Sequence, residues 1–243
     1  MIRADGRRPA QLRPVNITPG YLAHAEGSAL IELGGTAVLC AVTIEDRVPQ
    51  FARSAGSGWI TAEYAMLPRS TQTRTPREIG RPSGRTYEIQ RLIGRSLRSV
   101  AQIDLLGERT FLVDCDVLKA DGGTRTAAIT GAYVALCQAM RKMVDKGPLP
   151  SVPLHCAVAA VSAGLVDGIP LLDLNYEEDA RAAVDFNVVM TEEGELVEVQ
   201  GTGESHPFSR ETMDELLALA EGGIRRLFQA QKAALVEAGI ASA

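Results

Sequence analysis

Apolar positions along this chain follow two spacings, and their alternation predicts its elements. The stretch ALIELGGTAVLCAVTI (29–44) holds two β-rich runs on either side of Gly34-Gly35 and predicts a hairpin. Residues 50–84 carry no clear periodicity, are rich in Arg, Thr, Pro, Ser and Gly, and read as one long loop of the functional or disordered kind. Ile89, Leu92, Ile93, Leu97 and Val100 recur at helical spacing and predict a helix over 85–102. RTFLVDCDVL (109–118) reads as a strand. A second helix is expected from Thr124 to about Val144, with Ala128, Ala132, Ala135, Leu136, Ala139 and Met143 on one face. So many alanines imply close backbone packing against a sheet. Residues 156–168 and 169–175 read as paired buried strands, and 184–191 and 196–203 as a hairpin around EEGE. A long C-terminal helix spans 209–239, with Ser209 as N-cap and Glu211 in its first turn. The fold class is α+β, mixed sheets with long helices. With no fixed-period repeat and no Pro/Ser linker, a single domain over residues 1–243 is expected.

Composition narrows the setting. Hydrophobic residues make up 46% and charged residues 23%, ordinary for a soluble globular protein. No apolar run is long enough to span a membrane, and the N-terminal residues lack the apolar core of a signal peptide. Cys40, Cys115, Cys137 and Cys156 form no C-x-x-C pair and read as free thiols, so a cytoplasmic location is expected. The net charge is −5, which alone argues against a nucleic-acid binder. Its distribution argues the other way. Eight arginines against two acids lie between Arg69 and Arg98, a net +6 that leaves −11 for the rest of the chain. A local basic patch on an acidic protein is a site.

The chemistry concentrates in a few stretches. In KADGGTRTAAITGAYVALCQAM (119–140), Gly122-Gly123-Thr124-Arg125 opens a helix. An arginine there opposes the dipole preference for acids and makes electrostatic sense if an anion docks between them. Backbone N–H groups, a hydroxyl and a guanidinium at one point form a phosphate-binding recipe, although no Walker A or G-x-G-x-x-G motif occurs; an ordinary tight turn is the bland alternative. Arg85 also opens a helix, so the two arginines are candidates to face one anion, unless Arg85 merely pairs with Glu88. Asp179 and Asp185 form a carboxylate pair able to hold Mg²⁺ or to act as a general acid, the alternative for Glu177, Glu178 and Asp179 being a solvated acidic turn. Asp185 shares a strand face with Asn187, opposite Val184, Phe186 and Val188. Asp114 and Asp116 are a second same-face pair, for metal or for plain hydrogen bonding. Arg69, Arg74, Arg77 and Arg81 suit a flexible grip on a phosphate backbone, and Arg91, Arg95 and Arg98 share one helix face, solvated or in a subunit contact. His24, His155 and His206 lie far apart, without metal or triad context.

Five segments together carry a resemblance: GWITAEYAMLPRST (58–71), GRTYEIQRLIGRSLR (84–98), DCDVLKADGGTRTAAITGA (114–132), DFNVVMT (185–191) and VQGTGE (199–204). In this order they resemble the ribonuclease PH family of phosphate-dependent 3′ exoribonucleases that trim transfer RNA, and more distantly polynucleotide phosphorylase and exosome core subunits. The resemblance covers nearly the whole chain from Arg7. It implies duplicated β-α-β-α units like a ribosomal S5 domain and a homohexameric ring built as a trimer of dimers. It also implies that inorganic phosphate, the co-substrate, is bound by Arg85, Gly123, Thr124 and Arg125. Asp179 and Asp185 are then the catalytic pair that holds Mg²⁺ and assists departure of the ribose 3′-oxygen. Arg69, Arg74, Arg77 and Arg91 are expected to grip RNA, with tRNA precursors as substrate and nucleoside diphosphates as product. Two rival readings are a non-catalytic ring subunit, which predicts loss of these arginines or acids, and a hydrolytic metal nuclease using water.

Overall fold

The computed structural model describes residues 3–53, 56–204 and 206–240. Its first sheet joins β1 (Val15–Pro19), β2 (Gly27–Leu33), β3 (Thr36–Glu45), β4 (Trp59–Met66) and β5 (Thr110–Lys119) in the order β1-β2-β3-β5-β4. The expected hairpin at Gly34-Gly35 is β2–β3, closed by the pair Leu33 and Thr36. A single turn, α1 (Gln50–Arg53), follows β3, and α2 (Gly84–Arg98) crosses over between β4 and β5. β4 and β5 are parallel, a pairing that requires such a crossover. After β5 comes α3 (Thr124–Asp145). The second sheet is antiparallel throughout, with β6 (Val158–Val166), β7 (Ile169–Leu172), β8 (Val184–Thr191) and β9 (Leu196–Gly203) in the order β7-β6-β8-β9. One helical turn, α4 (Tyr176–Asp179), joins β7 to β8, and α5 (Arg210–Glu237) runs unbroken through Gly222-Gly223.

Three expectations need correction. Residues 50–84 are not one loop, because β4 lies inside them, with Ile60, Ala62 and Tyr64 buried in alternation. Small Ala62 and hydroxylated Tyr64 at inward positions hide a period-2 signal that the Arg- and Pro-rich residues after it then swamp. The helix predicted over 85–102 stops at Arg98. Beyond it the chain leaves helical geometry to pair Ala101 with Leu154, and Gln102 N donates to Pro153 O at 2.9 Å. Finally, α3 buries more than one face, since every residue from Thr126 to Cys137 is buried. The helix lies between the two sheets, with β2 and β3 on one side and β6 on the other. The covered stretch is apolar apart from Thr126 and Thr130, whose hydroxyls donate to the Gly123 and Thr126 carbonyl oxygens at 2.9 and 3.0 Å. Its closest approach needs a glycine in the facing strand, since a Cβ on Gly27 would lie 2.0 Å from the Ala135 carbonyl oxygen.

An arm before β1 inserts charge into the seam between the sheets. Arg3, Arg7 and Arg13 are all buried, as are Asp173 and Glu178. Arg13 grips Asp173 with two guanidinium nitrogens, Nε to Oδ2 at 3.0 Å and Nη2 to Oδ1 at 2.6 Å. Arg3 makes the same two-pronged contact with Glu178. Isolated, each charge would be costly to bury, and only this pairing makes them tolerable. Among the described residues no helix is long and apolar enough to cross a membrane. The four cysteines are unpaired, with Cys40, Cys115 and Cys137 buried.

Candidate active site

The turn Asp121-Gly122-Gly123 leads from β5 into α3. Only glycine fits at 122, where φ is +75° and a Cβ would meet the Leu174 carbonyl oxygen at 2.3 Å. Gly123, also at positive φ, is the N-cap of α3, and no side chain caps the helix. The N–H groups of Gly123, Thr124 and Arg125 donate to no other described residue, the open donor set of a bare helix N-terminus. Buried Tyr64 places its hydroxyl 2.8 Å from Thr124 Oγ1. Arg125 Nη1 donates to Gln200 Oε1 at 3.0 Å and lies 3.6 Å from Glu88 Oε1, which accepts from Gln200 Nε2 at 2.7 Å. Arg85 stands in the first turn of α2, whose N-cap is Ser83. Its alternative pairing with Glu88 does not form, because Glu88 is engaged by Gln200 and Arg125.

Asp179 ends α4. Asn175 and Glu178 form a capping box at the start of that turn, which fixes where Asp179 points out of it. Asp185 is the second residue of β8, and Asn187 Nδ2 on the same face donates to its Oδ1 at 3.2 Å. Both carboxyls are pushed above the ordinary range. For Asp185, which is half-buried, desolvation leads and the Asp179 charge adds to it, while Arg125 opposes. Asp179 is more open to water; desolvation in the cavity wall raises it, Glu204 adds to the rise, and Arg125 and Arg85 hold it back.

These groups meet. A cavity of about 500 Å³ is lined by Arg85, Gly123, Thr124, Arg125, Asp179 and Asp185, with exposed Tyr176 at its wall. The predicted phosphate and acidic residues, up to 100 positions apart in sequence, therefore share one space of guanidinium groups, free backbone N–H groups and carboxylates. Arg69, Arg74, Arg77 and Arg91 lie outside it and are exposed. Arg77 lines an adjacent cavity of about 470 Å³ that shares Met66 and Arg85 with the first. Arg95 and Arg98 are not simply solvated: Arg95 pairs with Glu198, and Arg98 sits 4.4 Å from the Trp59 ring centre. Asp114 and Asp116 are raised by desolvation, and Asp116 is pulled back by Arg77. Among the described residues no three His, Cys, Asp or Glu side chains cluster as a metal site. Asp179 and Asp185, both lining the cavity, can supply two carboxylates to an ion that takes the rest of its shell from substrate and water. Sequence reasoning missed Gln200, Tyr176, Ser162 and Glu204; Gln200 and Glu204 lie in the VQGTGE segment, but neither has a partner there to mark it.

Likeness to known proteins decides the family. The 3′ exoribonuclease family, domain 1, matches residues 11–142, and domain 2 of the same family matches residues 156–223. The chain belongs to the ribonuclease PH family of 3′ exoribonucleases. Ribonuclease PH of Dehalococcoides mccartyi, strains BAV1 and CBDB1, is 59% identical over 234 residues, covering 96% of this chain and 97% of each relative. Among solved structures, an Archaeoglobus fulgidus exosome with RNA bound to the active site superposes with a TM-score of 0.81 at 25% identity, covering 93% of this chain and 91% of that one. Rice Rrp46 superposes at 0.78 with 23% identity, over 96% of this chain and all of its own, a likeness of fold. The α+β class and the ribonuclease PH-type architecture follow.

Proposed function

We propose that the 500 Å³ cavity is where this chain's phosphorolytic 3′-to-5′ exoribonuclease activity takes place, with Arg85, Gly123, Thr124 and Arg125 holding inorganic phosphate and Asp179 and Asp185 serving the leaving group. The observation that carries the reading is the meeting of two helix starts, each bearing an arginine, with the acidic pair. Phosphorolysis brings a dianion to an anionic phosphodiester, so repulsion must be offset by positive charge fixed in advance. The guanidinium groups of Arg85 and Arg125 and the open N–H groups of α3 supply it.

Phosphate attacks the phosphorus of the terminal linkage. The bond from that phosphorus to the ribose 3′-oxygen of the preceding nucleotide breaks, and the terminal nucleotide leaves as a nucleoside diphosphate. The departing 3′-oxygen needs a proton. Asp179 and Asp185 both line the cavity, where one of them delivers that proton as general acid, desolvation making each carboxyl harder to ionise than a free one. Asp179 and Asp185 would also hold Mg²⁺, which neutralises charge developing on the transferred phosphoryl oxygens. One phosphorus–oxygen linkage replaces another, so the reaction runs backwards with added diphosphates.

Exposed Arg69, Arg74 and Arg77, on the loop after β4, and Arg91, on α2, grip the RNA backbone. Ser70 O accepts from Ala120 N at 2.9 Å, which roots that loop beside the phosphate turn. The substrate is the 3′ end of tRNA precursors and the assembly a homohexamer of three dimers, as the family resemblance implies; α3 packed against both sheets supports one domain, and free cysteines suit a cytoplasmic location. Exposed Phe51, Ile79 and Val236 are apolar surface available for such assembly. The test is a transfer RNA with extra 3′ nucleotides and Mg²⁺, with and without phosphate. Nucleoside diphosphates appearing only with phosphate support the reading; monophosphates released without phosphate overturn it.

A further inference from the structure

Against the phosphate turn stands the buried guanidinium of Arg13, which is not among the residues that line the cavity. Its Nη1 donates to the Asp121 carbonyl oxygen and its Nη2 to that of Gly122 at 3.3 Å. Thr36 Oγ1, fully buried at the start of β3, donates to the same Gly122 carbonyl at 2.7 Å and accepts from Asp121 N at 3.0 Å. In a trans peptide the carbonyl oxygen and the following N–H point to opposite sides of the chain. With the Asp121 and Gly122 carbonyls turned to Arg13 and Thr36, the N–H groups of Gly122 and Gly123 turn the other way. Both glycines line the cavity.

We propose that Arg13 and Thr36 are positioning residues that aim the Gly122 and Gly123 N–H groups at the bound phosphate. The inference rests on the phosphate reading of this cavity and deepens it. Arg13 is fixed for the task by Asp173, which is fully buried and accepts from the Arg13 backbone N–H at 2.8 Å as well as from both sides of its guanidinium fork. A lysine would balance the Asp173 charge but lacks the planar fork that reaches the carboxylate and two carbonyls together. The arm that carries Arg13 is more than 100 residues from the turn in sequence, so its ordering completes the anion site.

The test compares Thr36→Val, which keeps shape and charge, and Arg13→Lys with wild type and Arg125→Ala. Phosphate KM, kcat, RNA affinity and melting temperature are measured for each. The expected result is a phosphate KM raised about tenfold in Thr36→Val and Arg13→Lys, the scale of one lost hydrogen bond, with RNA affinity unchanged. Thr36→Ser, which restores the Oγ, brings KM back. A purely structural role would lower melting temperature, kcat and RNA affinity while leaving phosphate KM in place, and would overturn the proposal. Should Arg125→Ala also leave phosphate KM unmoved, the phosphate reading itself falls. If Arg125→Ala raises it and the Thr36 and Arg13 variants do not, only the positioning role falls.

Discussion

Arg125 Nη1 donates to Gln200 Oε1 at 3.0 Å, so an arginine at the start of α3 is held by a side chain of β9 in the other sheet. Gln200 also donates to Glu88 on α2. Three elements thereby set one guanidinium. Gln200→Leu should let it swing and raise the phosphate KM about 3- to 10-fold, the range of one ordinary hydrogen bond. The turnover at saturating phosphate stays near wild type. Steady-state kinetics over a phosphate series checks this.

Asp185 costs stability in return for activity. Its carboxyl is pushed up by desolvation and by Asp179, so the unfolded chain ionises it more readily than the folded one does. Above the unfolded value the fold is therefore penalised, and the penalty persists at neutral pH. Asp185→Asn should raise the melting temperature at pH 7 while abolishing phosphorolysis, a stability–activity trade. About 1 kcal/mol of relief corresponds to roughly 2–4 °C for a chain of this size. The gain should vanish at acid pH, which calorimetry across a pH series reads out.

Glu178 has the opposite sign. Burial pushes its carboxyl up, but the hydrogen bond from Arg3, the Asn175 N–H and the charges of Arg3 and Arg7 outweigh burial and hold it below its ordinary 4.5. Its contribution is fully present above that value and is lost as pH falls through the lower folded value. Glu178→Gln should destabilise the protein by about 3 kcal/mol or more at pH 7, because Arg3 is left buried without its counter-charge. It should also flatten the loss of stability below pH 4.5. Because the arm, α4 and the second sheet meet at this cluster, wild type should unfold in one transition.

The exposed arginines Arg69, Arg74 and Arg77 act on RNA through charge alone in this account. Replacing any one with alanine should weaken RNA binding. The slope of log affinity against log salt should shrink by about 0.7 for each single-strand phosphate that is no longer neutralised. Phosphate KM should not move. Binding titrations at several salt concentrations separate the two effects.

What is legible in the sequence is whatever a local period or a local oddity can signal. Asp185 and Asn187 share a face because strands repeat every two residues. Arg85 and Arg125 are visible because each stands where a helix dipole disfavours it. What stays hidden depends on partners far along the chain. Arg13 meets Asp173 over 160 positions, and Arg3 meets Glu178 over 175. Neither pair leaves a local trace, since an arginine near a chain end reads as solvated surface. β4 is masked by the residues that follow it. The all-round burial of α3 looks like one face in sequence because alanine serves a half-covered and a fully covered helix equally well.

The most direct test of the phosphate site is nucleoside diphosphate release from an RNA with extra 3′ nucleotides, measured against phosphate concentration for wild type and Arg125→Ala. The phosphate KM should rise at least about tenfold in the variant, the scale of one charge-assisted hydrogen bond, with RNA affinity intact. An Arg125→Ala enzyme with the wild-type phosphate KM and turnover would contradict the phosphate site.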